Sequence, residues 1–113
     1  MLRCDEQIRD GVLVLRPIGA VYGYTATLLR ARLDRALTDH PAVVVDLAAT
    51  TTFDSSGVGA CVYATTRAWT QHRSLSFAAP TPKVRALIDR TRLQTVLPLA
   101  ETVQSAIERA CAP

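Results

Sequence analysis

The one cluster of side chains with the makings of a modifiable site is Asp54-Ser55-Ser56-Gly57, with Gly59 two positions further on. It follows a Val-rich run and leads into a stretch of helical period, which places the serines at a helix start. There the first backbone N–H groups lack intrahelical acceptors and carry partial positive charge. A hydroxyl presented at such a point is suited to receive a phosphate, which adds about −1.5 to −2 charges to one spot on the surface. The helix end favours that charge, whereas Asp54 next door opposes it. The same two serines also read as helix caps, since Ser is a preferred N-cap residue. Gly57 and Gly59 leave room for a partner's backbone to approach closely.

Rival chemistries find little support. A serine hydrolase would have to assemble Ser55 with His40 or His72 and with Asp46, and the G-x-S-x-G elbow is absent. His72 falls at the far end of the helix that Ser55 starts, roughly 24 Å away at the helical rise. The loop lacks the Gly-Lys-Ser/Thr ending of a Walker A motif. Cys4, Cys61 and Cys111 are odd in number and far apart, which reads as reduced thiols without a metal site. Of the 13 basic residues, 12 are Arg, spread singly from Arg3 to Arg109. Nucleic-acid binding would need them clustered with interleaved aromatics. Charged residues such as Arg30, Arg32, Arg35, Arg67 and Arg73 read first as the solvated faces of helices. Trp69 and Tyr63 read first as core or partly buried helix residues.

The elements that must position the serines follow from periodicity. Leu2–Ile8 and Val12–Arg16 form a hairpin through an Asp10-Gly11 turn, with Leu2, Cys4 and Ile8 on one side. Thr25 opens a helix to about Thr38 with Leu29, Leu33 and Leu37 as its stripe, and His40-Pro41 ends it. Ala42–Leu47 is a strand whose three successive Val residues imply burial on both faces. The helix from Gly57 to about Arg73 turns Val58, Cys61, Val62, Thr65 and Trp69 to one face. Leu75–Ala79 is a core strand, and Thr81-Pro82 starts a helix carrying Val84, Leu87 and Ile88 inward. Thr95–Leu97 is a short strand, and a helix from Glu101 to Ala112 closes the chain. The order is ββαβαβαβα, an α/β fold with a mostly parallel mixed sheet covered by helices. Its functional crevice lies beyond the carboxyl ends of the strands, at Ile18–Tyr24, Ala48–Ser56 and Ala79–Pro82.

The 113 residues suit one domain over 1–113, with 49% apolar and 20% charged residues and a net charge of +3. That composition excludes disorder and collagen-like structure. The first ten residues hold no apolar run of the secretory type, and no run approaches the roughly 18 apolar residues of a membrane span. A cytoplasmic location without membrane insertion is the expectation. The lack of long exposed apolar stripes implies a monomer.

Over nearly its whole length the sequence resembles the STAS domains, and among them the bacterial anti-sigma-factor antagonists. The resemblance is carried by VLVLRPIGAVYGYTATLLRARL, by AVVVDLAATTTFDSSGVG and by LSFAAPTPKVRALIDRTRL, the middle segment being the specific one. It implies the same ββαβαβαβα fold, and a chain that is a switch in transcription regulation and stress response and not an enzyme. By that resemblance Ser55 is phosphorylated by a partner that is both anti-sigma factor and serine kinase, and which holds the ATP and Mg²⁺. The unphosphorylated form binds the anti-sigma factor and frees its sigma factor, and a PP2C-type phosphatase restores that form. Asp54 orients or contacts the partner, and Ser56 caps the helix once Ser55 is modified. The chain itself needs no cofactor. Where relatives commonly carry Gly-Glu-Leu-Asp, this chain has Gly19-Ala20-Val21-Tyr22, so Tyr22 and Tyr24 read either as an aromatic contact patch or as loop residues packed on the domain. Arg92 stands where relatives commonly have Gly. The alternative reading is a STAS interaction subunit of a phospholipid transporter or signalling scaffold, without phosphorylation.

Overall fold

Asp10 and Gly11 both adopt positive φ, 53° and 78°, the combination that a two-residue hairpin needs to match strand twist. They join β1 (Arg3–Arg9) to β2 (Val12–Val21), which pair antiparallel with Glu6 opposite Leu15. The computed structural model describes residues 2–111. Its further elements are α1 (Tyr24–Asp39), β3 (Ala42–Asp46), β4 (Thr50–Phe53), α2 (Ser55–Thr70), β5 (Ser74–Ala78), α3 (Pro82–Arg90), β6 (Leu99–Ala100) and α4 (Val103–Cys111). The strands form one mixed sheet in the order β1-β2-β3-β5-β6, with β4 paired to the far end of β2. Apart from the β1–β2 hairpin, all pairings are parallel.

Side-chain alternation along the strands divides the core in two. Leu13, Leu15, Val43, Val45 and Phe77 pack beneath α1, α2 and α3, with Leu29, Leu33, Cys61, Ala64, Val84 and Ile88. Val12, Val14, Val44 and Ala78 face α4 through Ala106 and Ile107. The three valines of β3 are thus buried on both faces, as a central parallel strand requires. The start of α3 is also as expected. Thr81 is its N-cap, accepting from Val84 N at 3.3 Å, with Pro82 in the first turn. Outside, Arg85 and Asp89 pair at 3.7 Å.

Several expectations are corrected. β2 runs five residues beyond Arg16, because its end leaves β3 and pairs with β4 after an irregularity at Gly19/Ala20. The loop expected at Ala48–Ser56 therefore contains a strand, and the order is ββαββαβαβα. Thr50 holds this strand to its neighbour: it is fully buried, and its hydroxyl donates to the Pro17 carbonyl at 3.1 Å. Thr95–Leu97 is not a strand. Val96 N and Leu97 N both donate to the Leu93 carbonyl in a turn, and the strand comes after Pro98, where Leu99 and Ala100 pair with Phe77 and Ala78. Ile8, expected on one side with Leu2 and Cys4, is exposed on the edge strand, whereas Leu2 is buried and Cys4 half-buried. α4 starts at Val103 and not at Glu101, with Ser105 N donating to the Thr102 hydroxyl at its start. Its expected end, Ala112, lies outside the described residues. Trp69 is corrected most sharply, being 86% exposed. α2 buries a face of small residues, Gly57, Ala60, Cys61, Ala64 and Ala68, and Trp69 is turned about 100° from Ala68.

Burial also governs the thiols. Cys61 is fully buried, and loss of water pushes its pKa up to about 12. Cys4 is raised as well, chiefly by burial against the opposing pull of Arg32, whereas Cys111 is exposed. We expect a thiol reagent to label Cys111 first, Cys4 more slowly and Cys61 only on unfolding. Because the folded pKa of Cys61 lies above its unfolded value, the unfolded chain gives up that proton first as pH rises. Stability should therefore fall from the ordinary thiol range upward, by at most about 1.4 kcal/mol per pH unit. Urea unfolding at rising pH checks this, since Cys61→Ala should lose less stability across that range than the wild type.

Candidate functional site

β2 and β4 leave the sheet side by side, with Val21 opposite Phe53. The residues that follow them, Tyr22 and Asp54, open two neighbouring loops, and Asp54 N donates to the Val21 carbonyl at 3.3 Å. The first loop enters α1 through Gly23, which is the N-cap residue at φ 54°. Thr25 is not the cap that the sequence suggests. Its hydroxyl accepts from Tyr22 N at 3.0 Å and lies 2.8 Å from the Tyr22 carbonyl, so it braces the turn from within the helix. Tyr22 and Tyr24 stand out from this turn, 57% and 71% exposed, and are not packed on the domain.

The second loop enters α2 through Asp54. Its carboxylate accepts from Gly57 N at 3.0 Å, and its carbonyl accepts from Val58 N at 3.1 Å. Asp54 is thus the N-cap of α2, and the expectation that a serine caps the helix is corrected. Ser55 and Ser56 are the first two residues of the helix, and both are exposed. The two glycines differ. A side-chain carbon on Gly57 would stand 2.9 Å from the Val21 carbonyl oxygen and 3.1 Å from the Phe53 ring. Gly57 is buried, and its missing side chain makes room for the chain's own backbone and not for a partner's. Gly59 is exposed and faces open space.

Between the first turns of α1 and α2 runs a groove of about 330 Å³, whose lining includes Gly23, Ala26, Thr27, Arg30, Ser56 and Gly59. Among the described residues its charged lining group is Arg30, whose guanidinium lies 3.6 Å from the centre of the Tyr63 ring. Such stacking on an aromatic face attracts the cation by about 0.5–1 kcal/mol at an exposed site. Further along the same two helices Arg67 pairs with Asp34 at 3.6 Å. Read from sequence, Arg30 is only part of a solvated face. It belongs to the groove because α1 packs on α2, which helical spacing within α1 does not reveal. The structure therefore brings together Asp54, Ser55, Ser56, Gly59 and the two tyrosines around paired strand ends. It does not bring a histidine to them: His40 follows the C-terminus of α1, and His72 follows that of α2. Among the described residues, no three His, Cys, Asp or Glu side chains gather as metal ligands, and no helix is long and apolar enough to cross a membrane.

Comparison with known proteins bears on this arrangement. The family model of the STAS domain matches residues 4–106. An anti-sigma factor antagonist from Mycobacterium paratuberculosis is 24% identical, with a TM-score of 0.87 over 99% of this chain and 96% of that one. A candidate anti-sigma factor antagonist from Thermotoga maritima is 19% identical, with a TM-score of 0.87 over 96% and 95%. The Bacillus cell fate determinant SpoIIAA in its phosphorylated form is 18% identical, with a TM-score of 0.69 over 96% and 98%. These likenesses are of fold. None of the curated protein sequences matches the chain.

The contrast between the glycines is testable by chemical denaturation. Gly57→Ala should cost about 1–3 kcal/mol, the usual penalty for overpacking. Gly59→Ala should be neutral or stabilising by up to about 1 kcal/mol, as Ala replaces Gly in an open helical position. Asp54→Ala should cost about 0.5–2 kcal/mol for the lost cap. Equal responses at positions 57 and 59 would contradict the close contact described for α2.

Proposed function

Since the chain belongs to the STAS domain family, we propose that it is an anti-sigma-factor antagonist whose binding is switched by phosphorylation of Ser55. The observation that carries this reading is the division of labour at the start of α2: Asp54 caps the helix, so the exposed Ser55 is not engaged as the cap. The partner is an anti-sigma factor with serine kinase activity. It docks on Asp54, Ser55, Ser56 and Gly59 and on the exposed rings of Tyr22 and Tyr24, while Gly57 acts from beneath by seating the helix. The γ-phosphoryl group passes from ATP held by the partner to the Ser55 hydroxyl oxygen, the hydroxyl proton is lost, and ADP leaves. The chain supplies the acceptor and no cofactor.

Electrostatics makes the modification decisive. The new charge sits beside the Asp54 carboxylate, while the helix end offsets only about 0.3–1 kcal/mol of it. Within a dry interface a dianion must be desolvated or must face partner groups arranged for a neutral hydroxyl, which costs several kcal/mol. Each 1.4 kcal/mol is a factor of ten in affinity, so one phosphate releases the partner without refolding the domain. A PP2C-type phosphatase returns the chain to its binding form. In this reading it acts as a cytoplasmic monomer in transcription regulation and stress response. The neighbourhood favours a partner unlike one that meets Glu and Asp on the first loop, since Ala20 and Tyr22 stand at those places here.

The test is incubation with the candidate kinase and ATP, with mass spectrometry and binding as readouts. A single phosphate on Ser55 is expected, absent in Ser55→Ala. Ser55→Ala should bind the partner, and Ser55→Asp should bind at least about tenfold more weakly. An unmodified chain together with wild-type binding by Ser55→Asp would instead favour a phosphorylation-independent STAS interaction subunit.

A further inference from the structure

We propose that the C-terminal end of α2 is a second docking surface, shaped for an acidic protein segment that lays an apolar side chain against Trp69. Trp69 is 86% exposed, and with Val96, which is 49% exposed, and Pro98 it lines a groove of about 430 Å³. Thr65 and Thr66 complete the lining. Their hydroxyls donate back to the carbonyls of Cys61 and Val62, at 2.8 and 3.2 Å, so those polar groups are already satisfied within the helix. The result is a concave, largely apolar surface around the kind of residue that most often anchors a protein interface.

Charge identifies the occupant. Residues 55–100, which supply every wall of the groove, hold six basic residues and one acidic one, Asp89. Arg67 is paired with Asp34, and Arg85 with Asp89 and Glu101, so the charge left to a partner near the groove is that of Arg73, Arg90 and Arg92. Arg73 stands three residues past the end of α2, its backbone N–H donating to the Ala68 carbonyl at 2.8 Å. Arg90 ends α3, and the exposed Arg92 follows in the turn that closes it, just before the turn from Leu93 that carries Val96 to the groove. A second copy of the chain would bring like charges together here, which disfavours it. A single aromatic side chain offers no run of stacking platforms for nucleic acid. Carboxylates flanking an apolar anchor fit both the charge and the groove. The surface lies roughly 21 Å along α2 from Ser55, beyond the roughly 16 Å radius of an interface patch of about 800 Å². Trp69 therefore falls outside a patch of that size centred on Ser55.

Trp69 is the only Trp of the chain, so its fluorescence reports on the groove directly. The probe is an amphipathic peptide of Glu and Leu, with a Lys and Leu version as control. The Glu peptide should shift Trp69 emission to the blue and shield it from acrylamide, and salt should weaken the effect. The Lys peptide should do neither. With a labelled peptide, Trp69→Ala should weaken binding about tenfold or more at unchanged thermal stability, and Arg73→Glu or Arg92→Glu should weaken it too. Ser55→Asp should bind the peptide as the wild type does, which separates this surface from the switch. The proposal is overturned by no response, by an equal response to both peptides, or by a stronger response to phosphatidylserine vesicles or oligo-dT. A dimer in sedimentation that Trp69→Ala dissolves would overturn it as well.

Discussion

The backbone of Gly57 lies against the Val21 carbonyl and the Phe53 ring more closely than any side-chain carbon would allow. That contact sets how α2 meets the sheet. The same Val21 carbonyl accepts from Asp54 N, and the Asp54 carboxylate returns to Gly57 N. Two strand ends and the first helical turn are thereby tied into one unit, and the serines between them are left on its outer side. These bonds hold Ser55 at the surface and do not bury it. A surface fixed in this way is what a charge-based switch needs, because the partner reads a change in potential on an unchanged shape.

The remainder of the fold supports that presentation at a distance. Pairing of Val21 with Phe53 requires β4, and β4 is anchored through the buried hydroxyl of Thr50 on the Pro17 carbonyl. The helix itself is held down by small residues, from Gly57 to Ala68. They allow close approach to the sheet but leave no large inward side chain to cover the far end. Both ends of α2 consequently show unusual surfaces. One offers hydroxyls at the positive pole of the helix, and the other an exposed Trp among arginines.

Much of the architecture is legible from local pattern. Three valines in a row mark β3 as buried on two faces, Thr81-Pro82 marks the start of α3, and Asp10-Gly11 marks the hairpin. Each rests on backbone chemistry confined to a few residues. The features that escape local reading depend on partners distant in sequence. β4 is four residues of Thr and Phe whose strand character comes from the far end of β2, although the β-branched threonines are a signal in its favour. β6 is only two residues, so its place after Pro98 is fixed by Phe77 and Ala78 and not by its own composition. Trp69 misleads through size, since large apolar residues are ordinarily taken to face inward. At the site, Asp54-Ser55-Ser56-Gly57 is visible as a helix start. Which residue caps it is a matter of geometry, as is the membership of Arg30 in the neighbouring groove.

The most direct measurement is the amide NMR spectrum of the protein carrying phosphoserine at position 55, compared with the unmodified protein, with partner binding measured on both. The account predicts shift changes confined to residues 19–24 and the first turns of α2, a stability within about 1 kcal/mol of the unmodified chain, and loss of binding. Shifts spreading to Val43–Val45 and Phe77, loss of cooperative unfolding, or undiminished binding by the phosphorylated protein would contradict it.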